Sequence, residues 1–538
     1  MKKCLLLIVF VVFGHKAYLQ DHYPRNKAID ILHYIFELEL NDDNNLIKGK
    51  TTVKLLLNEV VPSFQLDFVK KKADGKGMLV KKISQGQASM KFTQAPEKLD
   101  ISLPASSKKG DEIILTIEYE GIPSDGLIIS KNKFGNRTFF GDNWPNRAHH
   151  WLPVIDHPYE KATCEFIVTA PEHYEVIANG SFIEKKKAGA KNKITHWKSS
   201  ETLPTKVMVI GVADFSIQYA DTLDGVPVES WVYPQNEKEG FYDYALAVKV
   251  LDFFEKNIAD YPFSKLANVQ STTRYGGMEN AGNIFYDENS VTGSRTSEAL
   301  ISHEIVHQWF GNTASEADWH HLWLSEGFAT YLTHWYFEKN YGRNQLVERM
   351  EEDKNNILLY HQSHPKSPII DLSIKDLNAL LNTNNYQKAG WVLHMLRYQV
   401  GDENFWKGVK TYYEKFKFKN AYTADFQKVM EEVSGQSLEI FFKQWLYTPS
   451  IPNLEVNWKF DSSSKILSLK VVQKQADVFN LAIELAIYNP TSNQPETHKI
   501  ILNQKIQEFK IPIAEIPHKI TIDPNKWLLV NTTITKDK

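Results

Sequence analysis

Short runs in which apolar and polar residues alternate fill the first part of the chain, as in HYIFELELN, KGKTTVKLLL, EIILTIEYEG and KATCEFIVTA, broken by Gly, Pro and Asn. A period of two puts apolar side chains on one face of an extended strand, so the pattern predicts an all-β region over residues 20–221. Within it, the basic stretch 185–193 reads as a solvated hairpin loop. Beyond Pro227 the period changes: YDYALAVKVLDFFEKNIAD carries apolar residues at helical spacing and is closed by Tyr261-Pro262. A strand (LANVQST), the glycine-bearing stretch RYGGMENAG and a second strand (NIFYDE) follow. Helical patterns then run through LVERMEEDKNNILLYH, YQKAGWVLHMLRYQVG, FWKGVKTYYEKF and FQKVMEEVSG to FFKQWLYTP, where Pro449 and Pro452 close the block. The tail returns to alternation (LEVNWKFD, ILSLKVVQK, LAIELAIYN, KIILN, KITIDP), which predicts a β-sandwich.

The expected fold is therefore multidomain α+β. It comprises an N-terminal all-β domain (20–221), a mixed α/β domain (222–449) and a C-terminal β-sandwich (450–538). A chain of 538 residues exceeds what one core usually serves, which fits this division. A net charge of -3 gives no electrostatic reason to bind nucleic acid or an anionic membrane. Lys2 and Lys3 precede an apolar run from Cys4 to Phe13, a signal-peptide pattern assigned to residues 1–19. Ten apolar residues are too few to span a bilayer comfortably, and no later run approaches the roughly twenty needed. The expected product is exported: periplasmic, extracellular or at the cell surface. Removing the signal leaves Cys164 as the one cysteine, so no intrachain disulfide is expected, and its flanks read as a buried strand.

Candidate chemistry concentrates in SHEIVHQWFGNTASEADWHHLWLSE, residues 302–326. His303 and His307 stand four apart, so on a helix both imidazoles aim at one point while Glu304 projects beside them: two metal ligands and a base. Thr296 or Ser297 can cap that helix, and Gly311 is expected to stop it. A second helix from Trp323 to about Gly342 carries Glu326 in its first turns and, packed antiparallel, delivers a third ligand. Two His and one Glu leave a fourth tetrahedral position open, the mark of a catalytic rather than a structural zinc site. His320 and His321, between the helices, read as surface residues, and His149 and His150 as similar.

HEIVHQWFGN, the eighteen residues separating His307 from Glu326, WLSEGFATY and the preceding GGMEN together resemble the aminopeptidase N and leukotriene hydrolase family of gluzincin metallopeptidases. WLPVIDHPYEKAT, YQKAGWVLHMLR and TIDPNKWLL carry the resemblance along nearly the whole mature chain. It implies a thermolysin-like catalytic domain, one Zn2+ per chain held by His303, His307 and Glu326, and Glu304 as general base. Tyr386 is implied as the hydrogen-bond donor to the developing oxyanion. Gly276, Gly277, Met278 and Glu279 would bind substrate, with Glu279 pairing with the free α-amino group of a peptide. Without the zinc motif, GGMEN would read as a turn entering a strand. The implied substrate is a peptide with a free N-terminus.

Two departures stand out. The window in which relatives carry a second amine-holding Gln or Glu reads Gly141-Asp142-Asn143-Trp144-Pro145-Asn146, so Asp142 or Asn143 is left for that task. Many relatives also continue into a helical domain after the catalytic block, whereas this sequence stops after the sandwich. A more open cleft, or one covered by a second subunit, is the expectation. Epoxide hydrolysis of the leukotriene type is the enzymatic alternative, disfavoured by Asn378 eight positions before Tyr386, where those hydrolases carry an acid. A catalytically silent binding protein is the other, disfavoured by the intact set of site residues.

Overall fold

The computed structural model describes residues 21–490 and 494–537. Residues 1–19, read as a signal peptide, lie outside the described residues. Among the described residues no helix is long and apolar enough to cross a membrane.

The alternating runs of the N-terminal region form an eight-stranded sheet. Its centre pairs Ile29–Glu39 with Ile47–Leu57 antiparallel and with Lys161–Pro171 parallel. In Ile47–Leu57 every second residue is buried, as period two requires. Cys164 lies buried in the Lys161–Pro171 strand, as its flanks suggested. The basic stretch 185–193 is mostly strand: Ser181–Ala188 and Asn192–Pro204 pair as a hairpin, so only a tight turn at 189–191 is loop. Lysines on an exposed edge strand read as loop in sequence because both of its faces meet water.

A five-stranded sheet opens the catalytic region, in the order Ser216–Leu223, Val226–Val232, Leu266–Ser271, Asn283–Asp287, Gly277–Met278. Its first strand straddles the expected boundary at 221, because it pairs as a hairpin with Val226–Val232 rather than with the N-terminal sheets. Helices Glu298–Val306, Trp323–Tyr341, Arg343–Ser363 and Ala389–Val400 pack beside this sheet and hold the site. Beyond Pro452, a four-stranded and a three-stranded sheet enclose Leu454, Val456, Leu469, Ile483 and Leu485 between them. The chain thus has an all-β N-terminal part, a helical catalytic part and a β-rich C-terminal part.

Candidate active site

The helix Glu298–Val306 begins without a side-chain cap. Ser297 instead donates its hydroxyl to the Ser290 carbonyl at 2.7 Å. The helix closes at His307, four residues ahead of the expected stop, and Gly311 turns the chain with φ +124°. A Cβ on Gly311 would fall 2.3 Å from Ser325 Oγ. Glycine is therefore needed for Ser325 to reach His307 Nδ1 at 3.0 Å. The Phe310 carbonyl lies 3.1 Å from the same nitrogen, so Nδ1 carries the proton and Nε2 presents its lone pair.

That lone pair meets two others. His303 Nε2 stands 3.1 Å from His307 Nε2, and Glu326 Oε2 lies 3.3 and 3.2 Å from the two nitrogens. Ligands about 2.05 Å from a tetrahedral ion are separated by about 3.3 Å, so the triangle has the dimensions that zinc requires. Charge argues the same way. Three buried carboxylates, Glu279, Glu304 and Glu326, surround two imidazoles. Burial raises Glu304 and Glu279 above the usual carboxylate range. It would lower His307, but Glu326 beside it, with Glu279 and Glu304, lifts that imidazole to about 10. The pocket is short of positive charge, which a dication at the triangle would supply.

The stretch 276–279 runs along the His303 helix. Gly276 faces Leu300, and a Cβ on Gly277 would sit 2.3 Å from Glu304 Oε1. Gly277 thus makes room for the carboxylate of Glu304. Met278 is buried, and its strand pairs with Asn283–Asp287. The Glu279 carbonyl accepts from Gln308 Nε2 at 2.9 Å and from Asn312 Nδ2 at 2.6 Å. Its side-chain Oε1 is buried without a partner. An unpaired buried carboxylate oxygen is costly and calls for a cationic ligand.

Tyr386 lies in the turn Asn384–Lys388, which leads into Ala389–Val400. Its ring stacks on His303 with centroids 6.0 Å apart and planes 8° apart. All nine residues proposed from sequence, His303, Glu304, His307, Glu326, Gly276, Gly277, Met278, Glu279 and Tyr386, line one cavity of about 400 Å³.

Asp142 and Asn143 do not join them. Asp142 is fully buried, bound to Arg147 at 2.5 Å and to the backbone N–H of Arg274 at 3.2 Å. Asn143 donates to the carbonyls of Thr205 and Met208 and accepts from Trp151. Their neighbour Trp144 lines the cavity instead. His320 and His321 are buried, not superficial, at 5% and 4% exposure. Asp318 and the Ile374 carbonyl hold the former, and Thr423 the latter. His149 and His150 bond Asp156 and Ser124, away from the cavity. Sequence reasoning missed Thr333, His334 and Arg349, which also line it. Their only signal was the spacing of Thr330, Thr333 and His334 from Glu326 along one helix face.

Residues 242–445 match the family described as "Peptidase family M1 domain", and residues 31–207 match "Peptidase M1 N-terminal domain". The puromycin-sensitive aminopeptidase of Caenorhabditis elegans is 25% identical over 471 residues, covering 81% of this chain and 48% of the relative. Human glutamyl aminopeptidase is 27% identical over 394 residues, 65% of this chain and 40% of its own. The leucyl aminopeptidase of Saccharolobus solfataricus is 24% identical over 468 residues, with coverages of 82% and 57%. The chain spans about half the length of the curated relatives it matches. A solved structure of Legionella pneumophila aminopeptidase A in complex with aspartic acid superposes with a TM-score of 0.83. It covers 96% of this chain and 61% of that one at 16% identity, a likeness of fold.

Proposed function

From the chain's membership of peptidase family M1, we propose that it is a zinc-dependent aminopeptidase, removing residues one at a time from the free N-terminus of peptides. The observation that carries this reading is a single cavity holding a zinc-sized ligand triangle, a flanking buried carboxylate at Glu304 and an unpaired carboxylate oxygen at Glu279.

His303, His307 and Glu326 would hold the ion. Zinc there supplies a Lewis acid for the scissile carbonyl oxygen and makes water more acidic. Glu304 takes the proton of the attacking water and later returns it to the leaving amine. Gly277, having no side chain, leaves room for that carboxylate beside its own strand. The Tyr386 hydroxyl donates to the carbonyl oxygen as negative charge develops on it. Glu279 pairs with the α-ammonium, a group that only the first residue of a peptide carries, and thereby fixes which bond lies over the triangle. With residues 1–19 as a signal peptide, the enzyme would act outside the cytoplasm.

Hydrolysis of a panel of free aminoacyl anilides and of their N-acetylated forms, with and without a zinc chelator, tests this. Chelator-sensitive cleavage of the free forms alone is the expected result. Equal cleavage of acetylated forms would remove Glu279 as amine anchor and indicate an endopeptidase. No cleavage by the zinc-loaded protein would favour epoxide hydrolysis or a silent binding role.

A further inference from the structure

The two ligand helices lie antiparallel and give the cavity a direction. At the C-terminal end of the His303 helix, Gln308 and Asn312 fix Glu279. At its N-terminal end, Glu298 meets the hydroxyl of Tyr336, from the far part of the Glu326 helix, at 2.7 Å. The ligand triangle lies between. A peptide with its amine at Glu279 and its first carbonyl at the triangle therefore runs past Gly277 and Gly276 towards Leu300, and its leaving segment enters the Glu298 end.

That end of the cavity contains three polar atoms that are buried and without a partner: Thr333 Oγ1, His334 Nδ1 and Arg349 Nε. Thr333 and His334 follow Glu326 by seven and eight residues, hence about 10–12 Å along the helix on the side that carries Glu326. The Arg349 guanidinium stacks 3.6 Å from the centre of the Phe337 ring, which holds it in place. No carboxylate among the described residues lies within ion-pair distance of it. Asp353, the acid lining the same end, is taken up by His334 Nε2 at 2.8 Å. Glu298 is engaged by Tyr336 and Tyr341. A cation, a hydroxyl and an imidazole thus line one end of the cavity, each with a buried atom that lacks a partner.

We infer that Thr333, His334 and Arg349 form a subsite for a carboxylate on the leaving segment of the substrate, with Arg349 as the residue that sets this preference. This rests on the aminopeptidase reading. The carboxylate is either the C-terminus of a short peptide or an acidic side chain. At about 3.4 Å per extended residue, the span of about 10–12 Å from Glu326 places it about three residues beyond the scissile bond. Arg349 pairs with the carboxylate oxygens, the Thr333 hydroxyl donates to one of them, and His334 Nδ1 accepts a backbone N–H of the leaving segment.

The test compares kcat/KM for three sets of substrates, using the zinc-loaded full chain. These are an aminoacyl anilide, tri- and tetrapeptides of one sequence as free acid and as C-terminal amide, and the amides with an acidic residue at the third or fourth position. The wild type is expected to favour the free acid over the amide by about tenfold or more if the terminal carboxylate is the ligand, or acidic amides over neutral ones if a side chain is. Arg349→Gln should abolish that ratio and leave anilide hydrolysis unchanged, and Arg349→Lys should retain part of it. Anilide cleavage with no preference for either carboxylate in the wild type would overturn the subsite while leaving the aminopeptidase standing. A ratio that survives Arg349→Gln would do the same. Loss of anilide cleavage by Arg349→Gln would overturn it as well, making the residue structural. A wild type that cleaves no anilide removes both readings.

Discussion

The carboxylate of Glu304 and the absent side chain of Gly277 are one feature seen from two sides. A methyl group at 277 would stand 2.3 Å from Glu304 Oε1, so one of the two must move. Displacing a catalytic group by about 1 Å costs on the order of a hundredfold. Gly277→Ala should therefore lower kcat by about that factor while zinc content and thermal stability stay near wild type; kinetics beside metal analysis check both. Glu304→Gln separates the proton from the geometry. The amide occupies nearly the same volume but cannot accept the water's proton. It should keep the metal and lose about 10²–10⁴-fold in kcat, and a smaller loss would dismiss Glu304 as the base.

At the scale of elements, the triangle of His303, His307 and Glu326 exists because two helices are held in one register by the turn between them. Gly311 adopts φ +124°, and the space where its Cβ would stand is filled by Ser325, which orders His307 from the second helix. Gly311→Ala should cost about 1–3 kcal/mol in unfolding experiments and weaken zinc binding by about 10- to 100-fold, read by competition with a chelator. Unchanged affinity would mean that the Phe310 carbonyl alone orients His307. This level also marks where the sequence stopped being informative. That His303 and His307 share one helix face is legible because helical periodicity is local, and the pattern of WLSEGFATY placed Glu326 on a second helix. Alternation located the strands of both β regions. Period could not reveal what lies across a gap. His320 and His321 looked superficial because their partners, Ile374 and Thr423, come from distant segments. Asp142 looked free because Arg147 and the backbone of Arg274 complete it only in the fold. Arg349 carried no motif at all, since its meaning comes from an absence of partners.

Across the whole molecule, the N-terminal β region does more than flank the site. Lys206, in a short turn of helix near the end of that region, forms a 2.5 Å ion pair with Glu316 in the strand between the two ligand helices, both side chains almost wholly excluded from water. Burial opposes the ammonium, but Glu316 and then Glu279 outweigh it and raise its pKa. A lysine raised in the fold stabilises fully below its unfolded pKa of about 10.4 and loses that contribution as pH climbs through the folded value. The pair therefore holds through the neutral range and weakens only in strong alkali. Removing one partner leaves a buried charge uncompensated, so Lys206→Met should destabilise by about 3–5 kcal/mol, whereas Lys206→Met combined with Glu316→Leu should recover much of that loss. Denaturant unfolding of the single and double variants measures it. Lys206 also lowers the pKa of Glu279 through space, against the burial that raises it. The double variant, stable but without that cation, should therefore bind the substrate ammonium only at a higher pH than wild type, shifting the acidic limb of kcat/KM upward. An unshifted limb in a stable double variant would confine Lys206 to joining the two regions, with no part in tuning the amine anchor.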